Sequence, residues 1–163
     1  MKRFLTIFTV STALTIATAG FTFAGDRHIT RKELPTQARA FLSAHYGQTG
    51  IAYATADREA FGTTYDVSLA DGTKLEFSKH GDIIEIKSPH NGSIPYSALP
   101  AKIESYIKRN YPQATVQEFE VDGRLCEVKL SNGVEITFNR QYQVVHSTDY
   151  NKHLPNHRFT LRE

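Results

Sequence analysis

The chain has 163 residues, with 19 Lys and Arg against 17 Asp and Glu, and a single cysteine. The positive and negative charges nearly balance, and the sequence contains no run of basic residues. This argues against a nucleic-acid-binding protein, because phosphate binding depends on a local excess of Lys and Arg. One cysteine excludes an intramolecular disulfide, so core packing must hold the fold together.

The N-terminal segment, from Met1 to Ala24, has the pattern of a secretory signal peptide. Lys2 and Arg3 precede an apolar run that ends in small residues. This order predicts export with cleavage after Ala24, and a second possible cleavage position follows Ala19, at the end of Ala17-Thr18-Ala19. A retained membrane anchor is the alternative. Cleavage after Ala24 removes two basic residues and no acid, which leaves 17 of each sign and predicts a periplasmic or secreted protein.

The stretches 29–46 and 94–111 carry the same apolar pattern. In the first stretch, Thr30 and Glu33 have the spacing of a capping box, and Pro35 follows too soon for one continuous helix. We therefore expect a short helical turn, a bend and a helix from Pro35. Its apolar stripe recurs in the second stretch: Leu34, Ala38, Phe41 and Leu42, then Leu99, Ile103, Tyr106 and Ile107.

Alternating apolar residues follow each helix, in the stretches 65–78 and 126–139, which match each other position by position. The dipeptide Asp71-Gly72 interrupts the first stretch, and Asn132-Gly133 interrupts the second. Period-two alternation places the apolar side chains on one face of a sheet. The dipeptides tolerate the positive φ angles of a tight hairpin turn. Together with the two helices, the pattern predicts an internal duplication.

The sequence predicts an α+β fold of two tandem repeats, each a helix followed by a four-stranded antiparallel sheet, packed as one eight-stranded unit. The predicted strands are near 51–58, 64–69, 73–78 and 82–87, then 115–121, 124–130, 134–139 and 143–148. The domain boundaries follow from them: signal peptide 1–24, first repeat 25–88, linker 89–93, second repeat 94–148 and C-terminal tail 149–163.

Two motifs occur twice in the same order. The first is the Leu-Pro pair, the aromatic–apolar pair and the Tyr of each helix. The second is Val-x-Leu-x-Asp/Asn-Gly-x-x-apolar-x-Phe. This arrangement resembles the beta-lactamase-inhibitor-like, PepSY-like periplasmic proteins over residues 29–148. The resemblance implies a curved sheet whose open face can hold a protein partner. It does not imply that the chain inhibits a beta-lactamase. The family tends to have Gly in the last turn of each repeat, and Gly81 matches but Tyr142 does not, so a wider turn is expected at Tyr142.

We recognise no catalytic arrangement in the sequence and predict a non-enzymatic protein without cofactor or metal. His153 and His157 have the i, i+4 spacing of a helical metal pair, but an intervening proline disfavours the helix. Glu118 and Glu120 share a strand face, for which solvation is the simpler interpretation. Cys126 alternates with apolar residues, so it is predicted to be buried and not a nucleophile.

What remains is a mixed-charge sheet face, either ordinary solvated surface or a recognition surface. We predict a periplasmic or secreted protein-binding module, such as an inhibitor or regulator of an envelope peptidase. Its partner would be a protein or peptide of the cell envelope, with no nucleic acid and no membrane span after signal cleavage. The alternative is a small-ligand or peptide carrier with a pocket beside the sheet. Ile83 and Val144 are expected to join the outward residues, and the predicted binding residues are Asp66, Lys74, Glu76, Glu127, Lys129, Glu135, Thr137 and His146.

Overall fold

The computed structural model describes residues 27–59, 62–90 and 92–149. These residues form one antiparallel sheet of nine strands, in which every strand pairs with its neighbours along the chain. The two helices are α1 (Thr36–Tyr46) and α2 (Ala101–Asn110). The strands are β1 (Arg27–His28), β2 (Ile51–Glu59), β3 (Gly62–Leu69), β4 (Lys74–Phe77), β5 (Ile83–Lys87), β6 (Val116–Asp122), β7 (Leu125–Leu130), β8 (Glu135–Phe138) and β9 (Val144–Ser147).

The entry to each helix is a short 3-10 turn followed by a proline. Before α1, Thr30 and Glu33 form the predicted capping box, in which the Glu33 carboxylate accepts a hydrogen bond of 2.8 Å from the Thr30 backbone N–H. This bond, together with Arg27 and the Thr30 hydroxyl, lowers the pKa of Glu33 to about 2. Pro35 then precedes α1, as Pro100 precedes α2. The predicted turn, bend and helix are therefore confirmed.

Both helices lie on the same face of the sheet and enclose one continuous hydrophobic core with it. Phe41 of α1 packs edge-on against Phe77 of β4, with ring centroids 5.9 Å apart. Tyr106 of α2 packs in the same way against Phe138 of β8, at 5.6 Å. The predicted apolar stripes point inward, and Ile103 has no exposed surface at all. Burial of these side chains stabilises the fold by roughly 1.5–3 kcal/mol for each large residue.

All eight predicted strands are present, with bounds close to the predicted ones. The sheet has nine strands and not eight, because Arg27 and His28 pair with β2 at its outer edge. The two halves form one sheet through β5 and β6, where Ile86 pairs with Phe119. The predicted signal peptide and the tail beyond Asp149, with its two histidines, lie outside the described residues. Among the described residues, no helix is long and apolar enough to cross a membrane.

The expectation of a wider turn at Tyr142 is wrong. The β4–β5 and β8–β9 turns have the same two backbone hydrogen bonds, with N–O distances of 2.8 or 2.9 Å. Tyr142 keeps this geometry by adopting φ 58°, where Gly81 has φ 89°. A left-handed conformation costs a non-glycine residue about 1–2 kcal/mol. The turn therefore retains its shape at the expense of local strain.

Candidate functional site

The face of the sheet opposite the helices, called the open face below, carries a row of carboxylates at right angles to the strands. The strand register places one acidic residue of each strand from β3 to β7 directly opposite the next. Thr55 and Thr137 continue this row outward, and His28 and His146 end it on β1 and β9. The acidic row consists of Asp66, Glu76, Glu85, Glu120 and Glu127.

A second row beside the acidic row contains lysines alternating in part with carboxylates. Lys87 forms ion pairs with Glu85 at 2.5 Å and with Glu118 at 3.5 Å. Lys129 lies 3.7 Å from Glu118 and 3.4 Å from Glu135. We call Lys74, Lys87, Glu118, Lys129 and Glu135 the lysine row. Seven carboxylates against three ammonium groups leave the two rows with a net charge of −4.

At the centre of the acidic row, neighbouring carboxylates disfavour the charged form of Glu120. Partial burial and the carboxylates of Glu85, Glu118 and Glu127 raise the pKa of Glu120, and Lys87 offsets only part of this. Among the described residues, no cation lies within ion-pair distance of Glu120 or Glu127. Like charges directly opposite each other destabilise a sheet. The row is therefore a surface on which added positive charge would be stabilising.

The same carboxylates also shift the pKa values of two lysines, Lys87 and Lys129. Burial alone lowers the pKa of Lys87, but the carboxylates of Glu85 and Glu118 outweigh it and raise that pKa overall. The pKa of Lys129 is raised for the same reason, by Glu118 and Glu135. Both ammonium groups thus remain charged at neutral pH and stay engaged with the carboxylates beside them.

The structure brings all eight predicted binding residues together on the open face, although their role in binding stays a prediction. Sequence reasoning missed that Glu85 and Lys87 belong to the same surface. It noted Glu118 and Glu120 only as a solvated pair. The pattern Ile-Glu-Ile-Lys in β5 was the available signal, since alternate residues share a face.

The expectation that Ile83 and Val144 point outward is wrong. Both pack against the hydrophobic core. A register shift in the β4–β5 pair makes Ile83 the partner of Phe77, and one in the β8–β9 pair makes Val144 the partner of Phe138. Each shift inserts one extra residue, as a β-bulge does, and so reverses the alternation on one side of it. Val145, the extra residue in β9, is 52% exposed.

On the other side of the sheet, a groove of about 450 Å³ lies between α1 and the turn that leads into α2. The groove is lined by both apolar and polar side chains, and the His45 imidazole lies 3.2 Å from the Ser97 hydroxyl at one side of it. Its lining includes Phe41, His45, Leu99, Phe119, Val121 and Cys126. Cys126 is 7% exposed, as predicted for a buried residue. Burial raises the pKa of its thiol, which disfavours the reactive thiolate.

Comparison with known proteins places the chain in a family. A family-wide sequence profile described as "Putative beta-lactamase-inhibitor-like, PepSY-like" matches residues 63–146. A comparison with curated proteins gave no match.

Three solved structures have the same fold. A "putative periplasmic protein" of the DUF2874 family from Bacteroides vulgatus is 35% identical, with a TM-score of 0.70 over 75% of this chain and 95% of that one. A "putative calcium-regulated periplasmic protein" from Bacteroides thetaiotaomicron is 32% identical, with the same TM-score and coverage. A second B. vulgatus "putative periplasmic protein of unknown function" is 34% identical, with a TM-score of 0.68 over 77% of this chain and all of that one.

Proposed function

We propose that this chain, which belongs to the beta-lactamase-inhibitor-like, PepSY-like family, is a non-enzymatic module that binds a protein of the cell envelope through its open face. The periplasmic descriptions of its solved relatives confirm the predicted periplasmic or secreted location. The inhibitor-like family favours a protein partner over a reaction. An envelope enzyme such as a peptidase, inhibited or regulated by the chain, is the kind of partner we propose.

The observation that carries the proposal is the acidic row. Like charges at directly opposed positions lower the stability of a sheet. Within the row, Glu120 stands opposite both Glu85 and Glu127, and neither Glu120 nor Glu127 has an ion-pair partner among the described residues. In natural proteins, arrangements of residues that lower stability are found mainly at functional sites. A partner with a basic surface would relieve the repulsion on binding and would be steered to the face over long distances.

Apolar side chains at the margin of the open face favour recognition by a protein over recognition by a simple ion. Tyr53 of β2 is 45% exposed and lies next to Ser68, and Leu125 of β7 is 44% exposed opposite Asp122. Protein interfaces combine charged complementarity with exposed aromatic and aliphatic contacts. The proposed interface therefore has an acidic centre and apolar margins.

The proposal is tested by capture from envelope extract with paired variants. Glu127→Lys/Glu135→Lys should lose a stoichiometric protein that the unchanged chain retains, because the two substitutions reverse charge without entering the core. Lys74→Glu/Lys129→Glu is the matched control of opposite sign, and it should retain the same protein at least as well. Circular dichroism establishes that both variants are folded. Equal capture by all three proteins would contradict the open face as the binding surface.

The second candidate function is a small-ligand or peptide carrier, favoured by the groove between α1 and the turn that leads into α2. Its volume of about 450 Å³ and its mixed lining of apolar and polar side chains are suited to a small ligand with both apolar and polar groups. A co-purifying small molecule, detected by mass spectrometry and lost in Phe41→Ala, would support this function. The carrier function would be excluded as the explanation of binding by a different result. In that result, Phe41→Ala still captures the protein partner, whereas charge reversal of the open face abolishes capture.

Calcium control, suggested by the description of one relative, does not fit the described acidic residues as they stand. Three carboxylates have oxygen atoms within 4.8 Å of one another, those of Glu85, Glu118 and Glu120. The Lys87 ammonium already contacts two of these carboxylates. Calcium takes six to eight oxygen ligands in proteins. Three carboxylates with a competing ammonium form a poor site, so we assign calcium no role here.

A further inference from the structure

A pocket of about 390 Å³ lies beside the acidic row, where β3 and β5 begin. Most of the surface that lines this pocket is apolar, and Thr64 and Ile84 form part of its wall. We propose that the pocket is the anchor site of the open face and receives one aromatic or aliphatic side chain from a basic segment of the partner. The inference rests on the proposed function and adds the chemistry that the partner must present.

The register shift in the β4–β5 pair places Ile84 at this pocket. Phe77 pairs with Ile83 and Glu76 pairs with Glu85, so Ile84 is the extra residue between them. Bulges of this kind commonly redirect a side chain. Ile83 packs against the hydrophobic core, whereas Ile84 is partly exposed and lines the pocket. Its apolar surface is therefore available for a ligand to cover, which would favour binding.

The second half of the chain carries a larger residue at the position of Thr64. Thr64 corresponds to Leu125, and Ile84 corresponds to Val145, at the same spacing that relates the stretches 65–78 and 126–139. Val145 is likewise the extra residue of its register shift. The smaller threonine thus leaves room beside Ile84 that a leucine would occupy.

The pocket itself is suited to an apolar side chain and not to a basic one. A Cβ added at Gly62 would lie 4.0 Å from the Lys79 Cδ, so the methylene stem of Lys79 lies over this glycine. The Lys79 ammonium would repel a cation in the pocket. The Asp82 carboxylate, which also lines the pocket, accepts a hydrogen bond of 2.6 Å from the Gln37 amide. Protein interfaces gain much of their affinity from apolar anchors of this kind.

Charge selects a basic segment as the source of the anchor. Alternation along β3 places Thr64 on the same face as Asp66, two residues or about 7 Å away. Glu76 and Glu85 continue the acidic row on the neighbouring strands β4 and β5. An extended segment repeats its side chains on one face at the same interval of about 7 Å. A Lys or Arg two residues from the anchor would therefore reach the acidic row while the anchor fills the pocket.

A short peptide tests the anchor without the partner. The blocked peptide Lys-Ser-Phe-Ser-Lys is titrated into the isotope-labelled chain from Gly25 to Glu163, and the backbone amide shifts give its dissociation constant. The signals of Thr64 and Ile84 should move most. The charge-matched peptide Lys-Ser-Ser-Ser-Lys should bind roughly five- to tenfold more weakly, because it leaves the pocket empty. Both peptides should bind more weakly in about 1 M salt, where the Debye length is about 3 Å.

Two variants alter the pocket in different ways. Ile84→Asn removes apolar surface from its wall, and Thr64→Leu fills it with the residue that the second half carries. Each variant should weaken binding of the phenylalanine peptide roughly fivefold and leave binding of the serine peptide unchanged. Val145→Asn, at the corresponding position of β9, is the matched control and should leave the affinity for both peptides unchanged.

Equal affinities of the unchanged chain for the two peptides would overturn the inference. So would an equal loss of affinity in Ile84→Asn and Val145→Asn. Binding of the uncharged peptide Ser-Ser-Phe-Ser-Ser with the affinity of the phenylalanine peptide would also overturn it, since the occupant would then be an apolar ligand that needs no basic residues. Because these titrations contain no envelope protein, failure of the anchor is distinguishable from failure of the proposed function, which the capture experiment tests separately.

Discussion

At Gly81, one added methyl group should disturb the fold strongly. The Cβ of an alanine there would lie 2.6 Å from the Ala38 backbone nitrogen and 2.9 Å from the Pro35 Cβ. Both atoms belong to the start of α1, which cannot move without lifting Ala38 out of the core, where it is fully buried. Gly133 is the matched control, because its φ of 81° is close to the 89° of Gly81 but nothing lies within 4 Å of an added Cβ.

The two substitutions separate backbone strain from overpacking. Left-handed φ costs an alanine about 1–2 kcal/mol, and its lower entropy in the unfolded chain returns about 0.4–1 kcal/mol. Gly133→Ala should therefore lower the free energy of unfolding by about 1 kcal/mol. Gly81→Ala should lose a further 1–3 kcal/mol or so from the forced contacts. At roughly 3–6 °C per kcal/mol for a domain of this size, the two melting temperatures should differ clearly. Urea unfolding followed by circular dichroism measures the free energy of unfolding of each variant. Equal decreases in the two variants would refute the close approach of the turn to α1.

Glu120→Gln should stabilise the protein at neutral pH, because the raised pKa of Glu120 means that its charged form is penalised in the folded state. The gain should shrink as the pH falls towards the folded-state pKa, and urea unfolding at several pH values that found a loss at neutral pH would contradict the charge argument. Tyr46→Phe should leave the free energy of unfolding unchanged or raise it by up to about 1 kcal/mol, because the Tyr46 hydroxyl is buried without a hydrogen-bond partner among the described residues. A fall of more than about 1 kcal/mol in the free energy of unfolding of Tyr46→Phe, measured by urea denaturation, would contradict this argument. Cys126 should react slowly with thiol reagents in the folded protein and rapidly after denaturation, and fast native labelling would contradict its burial.

The local pattern of the sequence is sufficient to predict which side chains share a face within each strand. Alternation alone places Glu127 and Lys129 on the face opposite Val128. The acidic row, however, depends on which strands are neighbours. The pairing of Glu85 with Glu120 arises where β5 meets β6, and that contact joins strands separated by the whole of α2 in the sequence. No local periodicity encodes such a register.

The remaining differences have equally specific causes. The register shifts opposite Phe77 and Phe138 turned Ile83 and Val144 inward, and a shift of this kind leaves no mark on a period-two pattern. Strand β1 is too short for any alternation. The duplication itself stays a proposal, supported by the matching apolar patterns of the two halves and by the similar contacts of Phe41 and Tyr106 with the sheet.

The most direct test of the open face is site-specific photo-crosslinking in the intact envelope. A photoreactive amino acid replaces Thr137, at the end of the acidic row, or Ser105, on the exposed side of α2. If the open face binds the partner, irradiation should join a discrete envelope protein to the Thr137 variant and leave the Ser105 variant unmodified. Crosslinking of an envelope protein through Ser105 alone would place the interface on the helices and contradict the account.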